Sequence, residues 1–413
     1  MRRSKVTPQG EQSQVMKVLC DASVIRPPLS GVQLAVRHEI LSLLQLPAVP
    51  DMVVCTHDEM VHDTCLKGAA AAVRLAGFTR RTSGRILWQQ LVLPRLLRRW
   101  SVDVLHAFAY TAPLRCPIPY VLNVHDTIAL DHPELCSWPN ARHMRCLMPG
   151  SIRRASAIVV SSTYVRDRVR HLFGLASERI HVVPLGVDLP RFSSPPSTLS
   201  PGVTLPSRPY LLYVGNLEPK KGLPSLLEAY STSAEAIGWD LVLAGRPAWR
   251  SSPIMGGIHA YSGPGKVIAL GPVADADLPG LYQQAQAFVF PSITEGFGLP
   301  VLEAMAAGTP VVHSDCPAVT ETAGGAGLSF ARGDASELGR ALKQLAGSVE
   351  LQDELRTRGK LRAAEMTWQR WAEHVCRIYP NVLAQSSLRP QPNSEALPSI
   401  RIRESELLRR CFP

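Results

Sequence analysis

The chain has 413 residues, 46% of them hydrophobic and 19% charged, which is enough apolar matter for more than one core and too much for a disordered chain. No run of about 18 apolar residues occurs, so an ordinary membrane-spanning helix is excluded, and Met1-Arg2-Arg3-Ser4-Lys5 leads into polar sequence rather than the apolar stretch of a secretory signal. The formal charge of +10 sits wholly in the first half: residues 1–200 carry 24 Lys and Arg against 14 Asp and Glu, and the remainder carries 20 of each. The expectation is a soluble, multi-domain, cytoplasmic protein whose first half either meets an anionic partner or presents a solvated basic face.

Taken in chain order, the elements form two blocks of alternating strand and helix. In the first, Val15–Cys20 is a short apolar run, followed by a Pro/Gly loop and an amphipathic stretch from Leu34 to Leu44. Met52–Cys55 reads as a buried strand. Cys55, His57, His62 and Cys65 are zinc ligands by type, but their spacing fits no standard finger and no metal site is expected. The nine cysteines are an odd number without a C-x-x-C pair, which fits a reducing compartment. Between Asp63 and Asp103 eight basic residues occur with no acid, around an amphipathic run from Ile86 to Leu93. Further strands are expected at Val102–Leu105, Tyr120–Val124 and Ala157–Val160, and the block closes at Ile180–Asp188.

Residues 193–208 are rich in Ser and Pro without helical periodicity and read as a linker. The second block restarts at Tyr210–Val214 and continues with Leu241–Ala244, Val267–Leu270, Ala287–Phe290 and Pro310–His313, each followed by helical sequence. Strands and helices of this length alternate in parallel, doubly wound sheets, one per block. Such sheets bind ligands beyond the carboxyl ends of their strands, so two facing sheets would share a cleft. After Gln385 the chain is polar and proline-bearing and reads as a flexible tail.

The densest chemistry lies in Phe288-Val289-Phe290-Pro291-Ser292-Ile293-Thr294-Glu295-Gly296-Phe297-Gly298-Leu299-Pro300-Val301-Leu302-Glu303. Pro300 suits a first helical turn and Gly308 a helix stop. The glycines allow close approach of a ligand, and free N–H groups at Leu299–Leu302 would face an anion such as a diphosphate. Glu295 and Glu303 could each accept two hydrogen bonds from a vicinal diol. A second loop, Tyr213-Val214-Gly215-Asn216-Leu217-Glu218-Pro219-Lys220-Lys221-Gly222, is not a Walker A loop but supplies Gly215 and two lysines. In the first block, His125 and Asp126 follow a strand on the cleft side of its sheet.

The glutamate segment resembles the E-x7-E signature of retaining glycosyltransferases, and the run through Ala304-Met305-Ala306-Ala307-Gly308-Thr309-Pro310 is similar to glycosyltransferase family 4. The resemblance extends from about Val18 to Leu383, and its L-E-P-K-K-G run is most similar to bacterial mannosyltransferases that assemble surface polysaccharide. It implies the GT-B fold, an α/β architecture of two Rossmann-like domains facing a cleft. Residues 1–192 would bind the acceptor, 193–208 would link, and 209–366 would bind the nucleotide sugar. Residues 367–384 would form a helix crossing back to the first domain, ahead of the tail at 385–413.

The resemblance further implies site roles. Gly31, Gly215, Lys220 and Lys221 would serve the donor diphosphate. Glu295 with Gly296, Phe297, Gly298 and Leu299 would hold the sugar and diphosphate, and Glu303 the ribose. His125, Glu295 and Lys221 are the expected catalytic set. Asn216 stands where many relatives carry arginine, and Leu185 replaces the asparagine of an N-G-V-D element. Ser161-Ser162 matches a later motif of the first domain. No metal or other cofactor is expected, because cationic side chains take that part.

The implied reaction is transfer of a hexose, with mannose from GDP-mannose favoured, to a glycan or polyprenyl-diphosphate-linked acceptor. It would take place in the cytoplasm or at the inner face of the membrane, with the acid-free stretch on anionic lipid. Competing readings are a nucleotide-sugar epimerase on the same fold, or a non-catalytic membrane- or nucleic-acid-binding protein. Nucleic acid is disfavoured by sparse aromatics and the lack of a binding motif.

Overall fold

The computed structural model describes residues 15–26, 29, 31–47, 50–57, 69, 71–195 and 199–384. His62, Cys65, the middle of the expected linker and the tail lie outside them.

The first block forms a parallel sheet of β1 (Lys17–Asp21), β2 (Asp51–Thr56), β3 (Ala71–Arg74), β4 (Val104–Ala107), β5 (Tyr120–Val124), β6 (Ala157–Val160) and β7 (Ile180–Val182) in the order β3-β2-β1-β4-β5-β6-β7. The second contains β8 (Tyr210–Val214), β9 (Asp240–Ala244), β10 (Val267–Gly271), β11 (Ala287–Phe290), β12 (Val311–Ser314) and β13 (Leu328–Phe330) in the order β10-β9-β8-β11-β12-β13. Both therefore reverse direction beside their first strand, the arrangement of a doubly wound sheet. Central strands such as β5 and β11 are buried at every residue, which is why they read as continuous apolar runs.

The helices that place the site are α1 (Gly31–Leu44), α2 (Trp138–Arg154), α3 (Thr163–Phe173), α4 (Leu223–Ile237), α5 (Leu299–Ala307), α6 (Pro317–Ala323) and α7 (Trp368–Ala384). Pro at the first or second position opens α4, α5 and α6, where a missing N–H is harmless, and glycine ends each in the left-handed region. The Ser162 hydroxyl caps α3 by accepting from Val165 N at 3.2 Å. Between β3 and β4 the chain is helical from Thr82 to Arg99, with a π-helical turn at Trp88–Val92.

That stretch departs from the sequence expectation. Its apolar face is not laid on a surface but is spent in the core of the first domain, with Trp88, Val92, Leu93, Leu96 and Leu97 buried. Only Leu87 and Leu91 point outward, at 56% and 48% exposure.

The outer faces of the two sheets have separate cores. The inner faces share one, joined through Phe192 and Tyr282, whose rings lie 5.9 Å apart, and through α7. Helix α7 follows the second block yet packs on α1 of the first, with Trp368 stacked on His38 at 5.2 Å and Trp371, Val375 and Tyr379 buried. The crossing is tight. Val187 N donates to Met366 O at 3.0 Å, and a Cβ on Gly186 would lie 2.1 Å from Trp368 N. Gly186→Ala is thus expected to destabilise the protein by about 1–3 kcal/mol, the usual range for overpacking, read as a lower urea midpoint and a lower Tm.

Candidate active site

The expected donor loops converge at the carboxyl ends of β8 and β11, where the second sheet's order reverses. After β8 the chain turns at Gly215 (φ +152°) and passes so close to Gly245 that a Cβ there would meet the Gly215 carbonyl at 1.9 Å. Lys220, Lys221 and Gly222 then dock on the loop after β11. Ile293 N donates to Lys220 O at 2.8 Å, and Gly222 (φ +67°) leaves a Cβ only 2.0 Å from Pro291 O.

This docking delivers Lys221 Nζ to Glu295 Oε1 at 2.5 Å, with both side chains 15% exposed and the ammonium over the Phe290 ring. Removing one partner of so sheltered a pair strands the other, at about 3–5 kcal/mol. Burial would raise the Glu295 carboxyl, but the charges of Lys221 and Lys220 outweigh it and hold the group below its ordinary value. Lys220 pairs with Glu218 at 3.5 Å. At Asn216, the Oδ1 accepts from Arg246 Nε at 3.4 Å, so a guanidinium from the loop after β9 stands beside the position for which the family resemblance implied an arginine.

Beyond Glu295, Gly298 (φ +108°) swings the chain into α5. The amides of Phe297, Gly298 and Leu299 have no hydrogen-bond acceptor among the described residues. The expected anion-facing set of Leu299–Leu302 is corrected accordingly. Pro300 has no N–H, and Val301 N is used by Gly298 O at 2.9 Å, so the free amides lie one turn earlier. Phe297 itself is 6% exposed and belongs to the core. Glu303 accepts from Tyr282 OH at 2.9 Å, yet burial pushes its carboxyl up to about 7.

His125 and Glu295 come together across the cleft. A Cβ on Gly296 would lie 1.7 Å from His125 O, so the two loops touch in a way that only glycine permits. The hydroxyls of Ser161 and Ser162 donate to Gly296 O at 3.0 and 2.9 Å. Glu321 of α6 accepts from Thr163 N and Tyr164 N, capping α3 of the opposite domain. His125's ring faces inward: Nε2–H donates to Phe108 O at 2.8 Å and Nδ1 faces Glu39 Oε1 at 4.0 Å. Burial lowers its pKa and keeps it neutral, although the Phe108 bond and Asp126 oppose this. What His125 turns to the second domain is its carbonyl.

Behind it runs a buried chain. Glu39 accepts from Asn123 Nδ2 at 3.0 Å, Asn123 Oδ1 meets His106 Nε2 at 2.8 Å, and His106 Nδ1 meets Tyr379 OH on α7 at 2.8 Å. Asp126 receives Tyr110 OH at 2.6 Å and Ile128 N at 3.0 Å, which makes it the brace of the turn after β5. Gly31 opens α1 with a positive φ of 31°, and nothing lies within 4 Å of a Cβ there. Glu39, Tyr110, Tyr282 and Glu321 were not singled out by sequence reasoning. For Glu39, a lone acid inside an apolar helix face is the signal that could have found it. No cluster of three metal-ligating side chains occurs among the described residues.

With this geometry in place, comparison with known proteins is informative. Sequence profiles described as "Glycosyl transferases group 1" and "Glycosyltransferase Family 4" match residues 202–362 and 51–191, one on each domain. The chain belongs to this family of retaining glycosyltransferases and has the GT-B fold.

It is 28% identical over 384 residues to the O-antigen chain mannosyltransferase B of Escherichia coli, covering 88% of this chain and 99% of that one. Among solved structures it is similar to sucrose-phosphate synthase of Thermosynechococcus elongatus (TM-score 0.69, 19% identity, 90% of this chain and 100% of that chain). It is also similar to Anabaena HepE in complex with UDP and glucose (TM-score 0.68, 18% identity, 89% and 100%).

The elevated Glu303 carboxyl has a measurable consequence. Folded, it keeps a proton that the unfolded chain has already lost, so its contribution to stability declines as pH rises from the ordinary carboxyl range to about 7 and is constant above. If the carboxylate holds a ribose diol, nucleotide affinity moves the other way, rising about tenfold from pH 6 to pH 8 as the group ionises. Calorimetric titration should show this rise in the wild type and a flat profile in Glu303→Gln.

Proposed function

We propose that the enzyme transfers mannose from GDP-mannose, with retention, to a hydroxyl of a glycan or polyprenyl-diphosphate-linked acceptor in bacterial surface polysaccharide synthesis. The observation that carries the reading is the Lys221–Glu295 pair set beside free amides at Phe297–Leu299, facing the His125 loop across the cleft. The sugar and acceptor rest on the similarity to the O-antigen mannosyltransferase of Escherichia coli.

In this mechanism the hard step is departure of the nucleoside diphosphate while positive charge grows on the sugar ring. Lys220, Lys221 and the amides before α5 stabilise the departing charge, with Arg246 serving in place of the absent arginine at Asn216. Gly31, at the start of α1, lets the first domain approach the diphosphate, and Gly215 does the same from the second. Glu295, held ionised by the lysines, accepts from sugar hydroxyls rather than attacking the anomeric carbon. Glu303 holds the ribose, and the His125 carbonyl lies near the reacting carbon. The departing phosphate takes the acceptor's proton. No metal enters the scheme.

A donor panel tests this reading. GDP-mannose is expected to give the largest thermal shift and nucleotide release compared with UDP-glucose and UDP-N-acetylglucosamine, and Glu295→Gln to lower kcat/KM at least 100-fold with weaker donor binding. Full transfer by that variant at unchanged donor affinity would overturn the role of Glu295. Donor isomerised without an acceptor would point instead to an epimerase.

No helix among the described residues is long and apolar enough to cross a membrane. With the rest of the apolar face buried in the core, only the exposed Leu87 and Leu91, ahead of Arg95, Arg98 and Arg99, would be left to meet the lipid of such an acceptor. Binding to vesicles containing phosphatidylglycerol should weaken with salt and fall when those three arginines are replaced by glutamine. Intact binding in that variant would leave the charge as a solvated face.

A further inference from the structure

Strand β7 is an edge of the first sheet, and a groove runs along its free side between α3 and α7. The groove holds two cavities, of about 500 Å³ and about 270 Å³, which share His181 and Ile378. The smaller one reaches Ser156, Ala157 and Glu178, at the amino ends of β6 and β7. Sheets of this kind bind substrates beyond the carboxyl ends of their strands, so this is the end turned away from the cleft. None of the lining residues belongs to the donor loops.

The larger cavity collects cationic and imidazole side chains from three elements. Arg166 and Arg170 come from α3, His181 from β7 and His374 from α7, over a floor of Ile180, Val182, Val183 and Ile378. No carboxylate is among these lining residues. The two arginines stand one turn apart, where like charges on a helix face repel. The acid that answers them is Asp167, bonded to Arg166 Nε at 2.9 Å and itself 57% exposed, so two guanidinium groups share one solvated carboxylate. Glu321 also acts on Arg166, but its oxygens are taken by the amides of Thr163 and Tyr164. The side chains of Arg170, His181 and His374 make no hydrogen bond or ion pair among the described residues.

The strand adds a backbone donor. Val183 N donates to Val160 O at 2.8 Å, so alternation along β7 turns the Val182 N–H outward to the free edge. Guanidinium, imidazole and amide donors around one cavity suit a phosphate. The apolar floor and the second cavity, where Ser156, Glu178 and Asn381 offer hydrogen-bonding groups, leave room for more than the bare anion.

We propose that this groove is a second ligand site, which binds the phosphate ester of a hydroxylated small molecule, a sugar phosphate or a nucleoside monophosphate. The phosphate accepts from Arg166, Arg170 and the Val182 amide, with the two imidazoles beside it, and the hydroxylated part lies over Ile378 towards Asn381 and Glu178. Bound there, the ligand bridges two elements that both answer to the second domain: α3, whose first turn Glu321 caps, and α7, which arrives from that domain and packs on α1. It acts as a regulator, outside the donor cleft.

Calorimetry on GDP-saturated protein tests this, with mannose 6-phosphate, AMP and inorganic phosphate as probes. At least one ester should bind the wild type more tightly than inorganic phosphate does, and which ester does so identifies the source of the phosphate. Arg170→Gln should weaken that ester at least tenfold, and Asn381→Ala should shrink its advantage over inorganic phosphate. Binding of neither ester, inorganic phosphate binding as tightly as both, or an unchanged Kd in Arg170→Gln would overturn the proposal.

A second readout guards against a structural role. Arg170 is exposed, so its replacement should leave the Tm of the ligand-free protein unchanged. An affinity loss that comes with a Tm several degrees lower would make Arg170 structural and refute the site. Binding of GDP is the separate check: its absence would fail the donor reading, while the Arg170→Gln comparison still locates the ester in the groove.

Discussion

Everything at the cleft depends on one steric condition, that Gly296 presses its backbone against the carbonyl of His125. A Cβ there would stand 1.7 Å from that oxygen. The contact is held by hydroxyls and amides rather than by apolar bulk. Ser161 and Ser162 donate to the Gly296 carbonyl, and Glu321 accepts from the amides that open α3. Each of these partners belongs to the other domain, so the groups lose them if the domains part and must then be met by water. Closure is therefore written into the hydrogen bonding, and it brings the loop that carries Glu295 against the His125 loop of the first domain.

Within that closed site, two glutamates of one motif are driven apart in acidity by their surroundings. The charges of Lys221 and Lys220 hold the Glu295 carboxyl below its ordinary value, whereas burial pushes the Glu303 carboxyl up to about 7 despite the Tyr282 phenol and the charge of Arg191. Divergent pKa values in neighbouring acids accompany divergent tasks. In the proposed reaction an ionised Glu295 would accept from the sugar hydroxyls and balance the lysines before the donor arrives. Glu303 suits a diol whose two hydroxyls replace its lost water. The paired carboxylates of glycosidases, which serve as nucleophile and acid, are a different use of the same residues.

Much of the fold was legible in the sequence because buried parallel strands are continuous β-branched and aromatic runs. Tyr120–Val124, Ala157–Val160, Tyr210–Val214 and Ala287–Phe290 form with the bounds expected. Strands β3 (AAVR) and β13 (LSF) escaped notice, being alanine-rich or three residues long, with pairing rather than propensity making them strands. At the candidate site, the placement of Glu295 and Lys221 in the loops after β11 and β8, and of His125 just after β5, was legible from motif and strand end. The nearness of Arg246 to Asn216 was not, since it arises from the pairing of β8 with β9. Nor was the inward turn of the His125 ring, which depends on Phe108 and Glu39, distant in sequence. The amphipathic run at Ile86–Leu93 misled for a general reason: an apolar helix face looks the same whether it meets lipid or a sheet.

The most direct measurement is a crystal structure with a non-transferable GDP-mannose analogue carrying fluorine on the sugar. The expected result is a diphosphate on Lys221 and the amides of Phe297–Leu299, a ribose on Glu303, and a sugar between Glu295 and the His125 carbonyl with the domains closed on Gly296. A nucleotide bound elsewhere, or a sugar with no contact to the first domain, would contradict a donor site built at the junction of the two sheets.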